Sequence, residues 1–222
     1  MLRVIDCGER EYREGYELQH RLVKERADNI IPDTLILASH SPVFTIGCRG
    51  SGTEILASED MLREVGISVE RVDRGGAVTY HGPGQLVAYP ILHLSSHGRN
   101  LHDLIHKYEE TVISTLQHFG ISAGRNPEYI GVWVSGQKIC AIGIGVKHWV
   151  SYHGLALNIS TNLDHYKYII PCGISHLGIT SMERVLGKPV DFEAVKEEFV
   201  KAFIKEFGFE NYQMVEQPTS EN

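Results

Sequence analysis

No apolar run in the sequence approaches the ~20 residues of a membrane span, and no two cysteines stand at C-x-x-C spacing. Net positive charge is missing too: 21 Lys and Arg against 28 Asp and Glu leave a formal charge of −7. That balance argues against nonspecific nucleic-acid binding, which needs a large basic footprint. The N-terminal Met1-Leu2-Arg3-Val4-Ile5-Asp6 meets charge too early for the apolar region of a signal peptide. Cys7, Cys48, Cys140 and Cys172 are widely scattered, so no disulfide framework is expected, and burial is the default role of each. Neither glycine signature for phosphate, G-x-x-x-x-G-K-[ST] or G-x-G-x-x-G, occurs. An apolar share of 42% and a charged share of 22% rule out disorder and fibrous architecture. What remains is a cytoplasmic globular chain of 222 residues, with one core, that binds neither membrane nor nucleic acid.

Charge is unevenly spread. Residues 1–70 carry 8 basic and 13 acidic side chains (−5), and residues 183–222 carry 5 and 9 (−4). Residues 71–182 carry 8 and 6 (+2) and hold ten of the twelve His. A mildly basic centre between acidic flanks suits an acidic partner, and ordinary surface solvation explains it equally well.

Periodicity predicts helices over 11–27, 58–64, 100–119 and 191–207. Ser58 and Asn100 stand as N-caps, and Gly120 supplies a stop. Strands are expected at 2–5, 34–37, 67–72, 85–91 and 154–159. A hairpin is expected across Ser135-Gly136, and residues from about 212 onward read as a loose polar tail. No repeat or linker interrupts the order. The fold class is α+β, a single domain with a mixed sheet flanked by helices.

Three segments carry candidate chemistry. Arg74-Gly75-Gly76-Ala77-Val78-Thr79-Tyr80-His81-Gly82-Pro83-Gly84-Gln85 has four Gly and one Pro in twelve residues. Such a run is not an ordinary helix or strand, and it reads either as a substrate cradle or as a tight connection. In Gln137–Val146, Ala141, Gly143 and Gly145 alternate with Ile142, Ile144 and Val146, which leaves one strand face nearly bare. Gly154-Leu155-Ala156 lines the same place or packs a neighbour. Pro171-Cys172-Gly173 presents a thiol on irregular backbone, with His81, His153, His176 and Lys138 as available activators. His93/His97 and His102/His106 have i, i+4 spacing but lack H-E-x-x-H or a partner Cys, so no metal site is expected.

Taken in order, Arg74–Gln85, Gly136–Ile139, Ala141–Gly143, His153–Asn158, Pro171–Ile174 and Gly178–Ser181 resemble the motifs of the lipoyl(octanoyl) transferase family. The resemblance implies the fold of the biotin- and lipoate-protein ligase catalytic domains. It implies transfer of an octanoyl group from octanoyl-acyl carrier protein to a lysine of lipoyl domains. Those acceptors belong to 2-oxoacid dehydrogenase complexes and the glycine-cleavage H protein, and no cofactor is required. It makes Cys172 the acylated nucleophile and Lys138 its partner. Arg74, Gly75, Gly76, Ala77, Val78, Thr79, Tyr80, His81, Ala141, Ile142, Gly143, Gly154, Leu155 and Ala156 become the substrate-binding residues. Rival readings are an ATP-dependent lipoate ligase or amidotransferase of the same fold, a thiol hydrolase using His81 or His153, and a noncatalytic carrier-binding domain. One conflict stands in the pattern: Lys138 has the opposite strand parity to Ala141 and Gly143, so a bulge or a strand end must reconcile them if both face the site.

Overall fold

The structure, a computed structural model, describes residues 1–170 and 178–215. In chain order its strands are β1 (Leu2–Arg10), β2 (Thr34–His40), β3 (Val43–Ile46), β4 (Ser68–Arg71), β5 (Val78–His81), β6 (Gln85–Ile91), β7 (Gly124–Arg125), β8 (Val132–Val134), β9 (Gln137–Lys147), β10 (Val150–Asn158) and β11 (Tyr212–Val215). The helices are α1 (Tyr12–Ala27), α2 (Glu59–Glu64), α3 (Leu101–His118), α4 (Met182–Leu186) and α5 (Phe192–Phe207). Eight strands form one mixed sheet in the order β11-β1-β2-β6-β10-β9-β8-β7, and β4-β3-β5 form a smaller one. β1 runs parallel to β11 and β2, and the remaining neighbours in the large sheet are antiparallel.

Alternation decides the layers. Leu35 and Leu37 of β2, Leu86 and Ala88 of β6, and Leu155 and Leu157 of β10 face a core built with α3 and α5. Their neighbours Ile36, Val87, Tyr89 and Ala156 turn to the other face, under α1. The amphipathic stripe of α5 closes the first core. Its Phe203 and Phe207 stack with centroids 4.4 Å apart, and each buried ring contributes roughly 1.5–3 kcal/mol. Ser58 and Asn100 do cap their helices, accepting from the Met61 and His102 amides. A third cluster around Phe44, Val78 and Tyr80 holds the small sheet together.

Two expectations are corrected. Residues 78–81 are a strand, because Ala77-Val78-Thr79-Tyr80-His81 is a glycine-free island that pairs antiparallel with β3. Residues 212–215 are not part of a loose tail. They add a parallel strand to β1, from Leu2↔Tyr212 to Ile5↔Val215, and cover an edge that otherwise has unpaired backbone groups. Residues 216–222 lie outside the described residues.

Candidate active site

The parity conflict at Lys138 is resolved by a bulge. Trp133 pairs with Lys138 but Val132 pairs with Cys140, so Ile139 is an extra residue in β9. Ile139 and Cys140 both face the core with α3, as do Val132 and Val134. Trp133 and Lys138 therefore turn to the opposite face, the face of Ala141 and Gly143. The Lys138 Nζ lies 4.9 Å from the centre of the Trp133 ring, and the side chain is buried. Beyond it, Ala141 pairs with Ala156 and Gly143 with Gly154, which makes a stripe of small residues across two strands. Ile142 and Leu155, also expected among the substrate-binding residues, line the same place, with their side chains packed toward the core on the α3 side.

The segment before β5 forms a roof over this stripe. The Gly75 amide donates to the Ile144 carbonyl at 2.9 Å, and a Cβ on Gly143 would stand 2.8 Å from the Gly75 oxygen. Part of the bareness of β9 thus serves the close approach of the roof itself. Arg74, buried, staples the roof. Its Nε donates to Thr45 Oγ1 at 3.1 Å, and its Nη1 to the Gly75 carbonyl at 3.0 Å. Its Nη2 donates to the Thr45 carbonyl at 2.6 Å, to Thr45 Oγ1 at 2.8 Å and to the Ala77 carbonyl at 3.1 Å. Between roof and floor is a cavity of about 40 Å³, bordered by Arg74, Gly75, Gly76, Thr79, His81, Ala141, Gly143, His153, Gly154 and Ala156. Of the expected run 74–81, Val78 and Tyr80 do not reach it. The alternation of β5 sends them into the small core, where the Tyr80 hydroxyl meets His165 Nδ1 at 2.8 Å. Ala77 contributes its carbonyl to Arg74 and does not border the cavity.

A buried polar chain connects the roof to Lys138. Gln85 Nε2 donates to Asn158 Oδ1 at 2.9 Å, so Gln85 Oε1 accepts from His81 Nδ1 at 2.8 Å. His81 Nε2 is then an acceptor, 3.4 Å from the Thr45 hydroxyl that Arg74 holds. Asn158 Nδ2 donates to the Thr180 carbonyl at 3.0 Å. The Thr180 amide donates to the Lys138 carbonyl at 3.0 Å, and the Lys138 amide to the Gly178 carbonyl at 2.9 Å. Burial, with His40 and Arg74 nearby, pushes the His81 pKa down to about 3. A neutral imidazole with both nitrogens engaged is a structural link, and it makes a poor general base.

The sequence reading named His153 but not the cluster it belongs to. Asp73 Oδ1 accepts from His153 Nε2 at 2.9 Å and from the Tyr16 hydroxyl at 3.1 Å, and Oδ2 accepts from the Tyr152 hydroxyl at 2.8 Å. The His153 hydrogen bond is the main reason the Asp73 carboxyl sits well below the usual range, and burial lowers the pKa of His153. The adjacency of Asp73 to Arg74 was the only available signal. The approach of Tyr16 from α1 has none in local spacing.

Cys172 lies outside the described residues, with the rest of 171–177. The chain is fixed on both sides of that segment. The Ile170 amide donates to the Glu54 carbonyl at 2.8 Å, and Gly178–Thr180 run beside Lys138. Cys140 is fully buried on the core face and its thiol is pushed up to about 12 by desolvation, so it is filler. Among the described residues no three His, Cys, Asp or Glu are grouped to hold a metal ion, and no helix is long and apolar enough to cross a membrane.

Solved lipoate and biotin protein ligases share this arrangement of the chain. The bipartite lipoate protein ligase of Thermoplasma acidophilum superimposes with a TM-score of 0.72 at 15% identity, over 98% of this chain and 87% of that one. The biotin protein ligase of Aquifex aeolicus gives 0.59 at 15% identity, over 94% and 71%. At such identities the likeness concerns the fold. Residues 11–204 match the lipoyl protein ligase A/B catalytic domain, and the chain belongs to that family. Within the family it is 48% identical over 200 residues to the octanoyltransferase of Caldicellulosiruptor saccharolyticus, covering 89% of this chain and 85% of its relative. It is 41% identical over 210 residues to that of Desulforamulus reducens, covering 94% and 92%.

Proposed function

We propose that this chain is a cytoplasmic octanoyltransferase. It moves the octanoyl group of octanoyl-acyl carrier protein to a lysine of lipoyl domains, those of 2-oxoacid dehydrogenase complexes and of the glycine-cleavage H protein, through a Cys172 thioester. The observation that carries this reading is the bulge at Ile139, which turns Lys138 onto the face of the Ala141/Gly143 stripe. Octanoyltransferase relatives at 41–48% identity support the reaction, and a lipoate ligase of the same fold was solved with its E2 lipoyl domain.

The chemistry follows from these groups. A donor thioester is already activated, so exchange with a thiolate is nearly isoenergetic and needs no ATP. The Lys138 ammonium favours the thiolate of Cys172. Attack on the carbonyl forms the enzyme thioester and expels the carrier thiolate, which takes the Lys138 proton. Lys138, now a neutral amine, accepts a proton from the incoming lysine amine as that amine attacks. The products are an amide and the Cys172 thiolate, again facing the Lys138 ammonium. A small-residue stripe suits a hydrocarbon chain, at about 0.8 kcal/mol for each buried methylene. Hydrolysis with His81 as base is disfavoured, because both ring nitrogens are engaged.

The test is an incubation with octanoyl-acyl carrier protein without ATP, followed by intact mass and peptide mapping. One octanoyl group on the Cys172 peptide, discharged by a lipoyl domain, is expected. Cys172→Ser and Lys138→Ala should each abolish transfer. Transfer that requires octanoate and ATP would instead make the chain a ligase.

A further inference from the structure

The main chain of Lys138 is held on both sides. The residue pairs with Trp133 on β8, its amide donates to the Gly178 carbonyl, and its carbonyl accepts from the Thr180 amide. Its side chain is a flexible stem ending in a point charge, so the sheet alone does not aim it. Gly131 and Trp133, two residues apart in the chain, bracket that stem. A Cβ on Gly131 would stand 3.4 Å from Lys138 Cε and 3.6 Å from Cδ, and 2.5 Å from the Cys140 oxygen. Gly131 is bare where the stem passes, and its φ of +126 is a backbone that L side chains rarely adopt. Glycine is also the residue whose backbone turns most easily. Here it is tied from α3, because the Gly131 amide donates to Glu109 Oε1 at 3.1 Å.

We propose that Glu109 is a positioning residue for the reaction: by fixing the Gly131 backbone it fixes the slot that aims the Lys138 ammonium. This rests on the acyl-transfer reading above, in which that ammonium faces Cys172. Glu109 is 4% exposed and stands beside Tyr108 and Val112, which face the core. Carboxylates are rarely buried this far unless they are paired.

This carboxylate divides its oxygens. Oε2 accepts from Arg125 Nε at 3.0 Å, while Oε1 meets the Gly131 amide. Arg125 has other partners, since its Nη2 donates to Glu110 Oε2 at 2.8 Å and to the His106 carbonyl at 3.2 Å. Those surface contacts already join β7 to α3 without a buried charge. What Glu109 adds is the bond to Gly131. The other side of the bracket is braced separately. Asn126 Oδ1 accepts from the Glu128 and Tyr129 amides, and the Tyr129 carbonyl accepts from Trp133 Nε1 at 3.1 Å. A two-step transfer asks one ammonium to stand by a thiolate and then to hand over its proton. A displaced Nζ should therefore slow the chemistry and leave donor binding alone.

The experiment follows two readouts in Glu109→Met, which removes both oxygens and keeps an unbranched side chain. The first is steady-state kinetics with octanoyl-acyl carrier protein and a lipoyl domain. There kcat should fall about tenfold, with KM for the donor within about twofold of wild type. The second is alkylation of Cys172 by iodoacetamide against pH, without substrate, followed by peptide mapping. Its rate at pH 7 should fall at least about threefold, and the two curves should meet above about pH 9.5, where a thiol of ordinary pKa ~8.5 ionises without help. Glu109→Gln, whose amide oxygen still accepts from Gly131, should keep most of both. It decides the matter if Glu109→Met does not fold, because a Glu109→Gln enzyme as impaired as Lys138→Ala overturns the route through Gly131. A folded Glu109→Met enzyme with wild-type kcat and alkylation profile overturns the proposal, since a tie needed only for folding moves neither. A wild type that takes up no octanoyl group would overturn the transfer reading instead.

Discussion

Lys138 and Trp133 face each other directly across the β8–β9 ladder, the ammonium 4.9 Å from the centre of the indole ring, because the ladder slips by one residue just beyond them. The ring fixes the direction in which a long, flexible side chain leaves the sheet. A desolvated contact of this kind contributes on the order of 1–2 kcal/mol. Trp133→Leu should therefore lower the transfer rate by about tenfold, the equivalent of 1.4 kcal/mol, while Trp133→Phe retains most of it. Steady-state kcat for both variants decides this, and equal rates in wild type and Trp133→Leu would separate the indole from the positioning of Lys138.

The buried histidines make stability depend on pH. His81 titrates near 3 and His40 near 4 in the folded chain, both lowered chiefly by burial, against about 6.5 unfolded. Between these values the unfolded state binds more protons, so stability rises with pH across that window. It is complete above about pH 6.5 and is lost progressively as pH falls toward 4. At pH 5 each group costs up to about 2 kcal/mol relative to pH 7.5. Asp73 works at lower pH, since its depressed pKa withdraws stability only below the ordinary carboxylate range. Urea midpoints at pH 7.5 and 5.0 measure the effect. His81→Gln should shrink the difference, and an unchanged one would mean that His81 is not the neutral link.

Most elements were legible in the sequence because they rest on local rules. The periodicity of α3 and α5, the caps Ser58 and Asn100 and the hairpin at Ser135-Gly136 all stand in the structure. The glycine-rich run 74–85 was harder, since strand β5 is held by tertiary pairing with β3 and its alternation divides Thr79 and His81 from Val78 and Tyr80. At Lys138 strand parity showed that a bulge or a strand end was needed for a shared face, but which of the two, and at which residue, leaves no mark in composition. The Asp73 cluster was not readable either, since its members are 57 and 80 residues apart where Tyr16 and His153 meet the carboxylate.

Gly143 tests the fit of roof to floor. Its added Cβ would meet a backbone oxygen, Gly75 O, at 2.8 Å, and backbone cannot swing aside as a side-chain tip can. Gly143→Ala should lift residues 74–76 and weaken the Gly75–Ile144 hydrogen bond, a loss of about 1–2 kcal/mol. KM for the acyl donor should rise together with that loss. Ala141→Gly, on the same face, should change stability by less than half as much. Denaturant midpoints and KM for both variants provide the comparison, and a Gly143→Ala enzyme as stable as wild type would show that the roof is not packed on that strand.

Arg74 offers the sharpest separation of charge from shape. Its planar guanidinium reaches the Thr45 hydroxyl and the carbonyls of Thr45, Gly75 and Ala77 from three nitrogens. A lysine keeps the positive charge but donates from a single atom and cannot span those acceptors. Arg74→Lys therefore leaves two or more buried carbonyls without a donor, at about 1–3 kcal/mol each. A loss near 3 kcal/mol lowers Tm by roughly 6–12 °C in a chain of this size. The small sheet would lose its tie between β3 and the segment entering β5, and acyl transfer should fall more steeply than stability, since Arg74 and Gly75 border the cleft. Thermal unfolding and transfer rates measured on the same preparation test both halves. If Arg74→Lys melts with wild type, charge alone suffices at this position and the network of carbonyls is not what holds the roof.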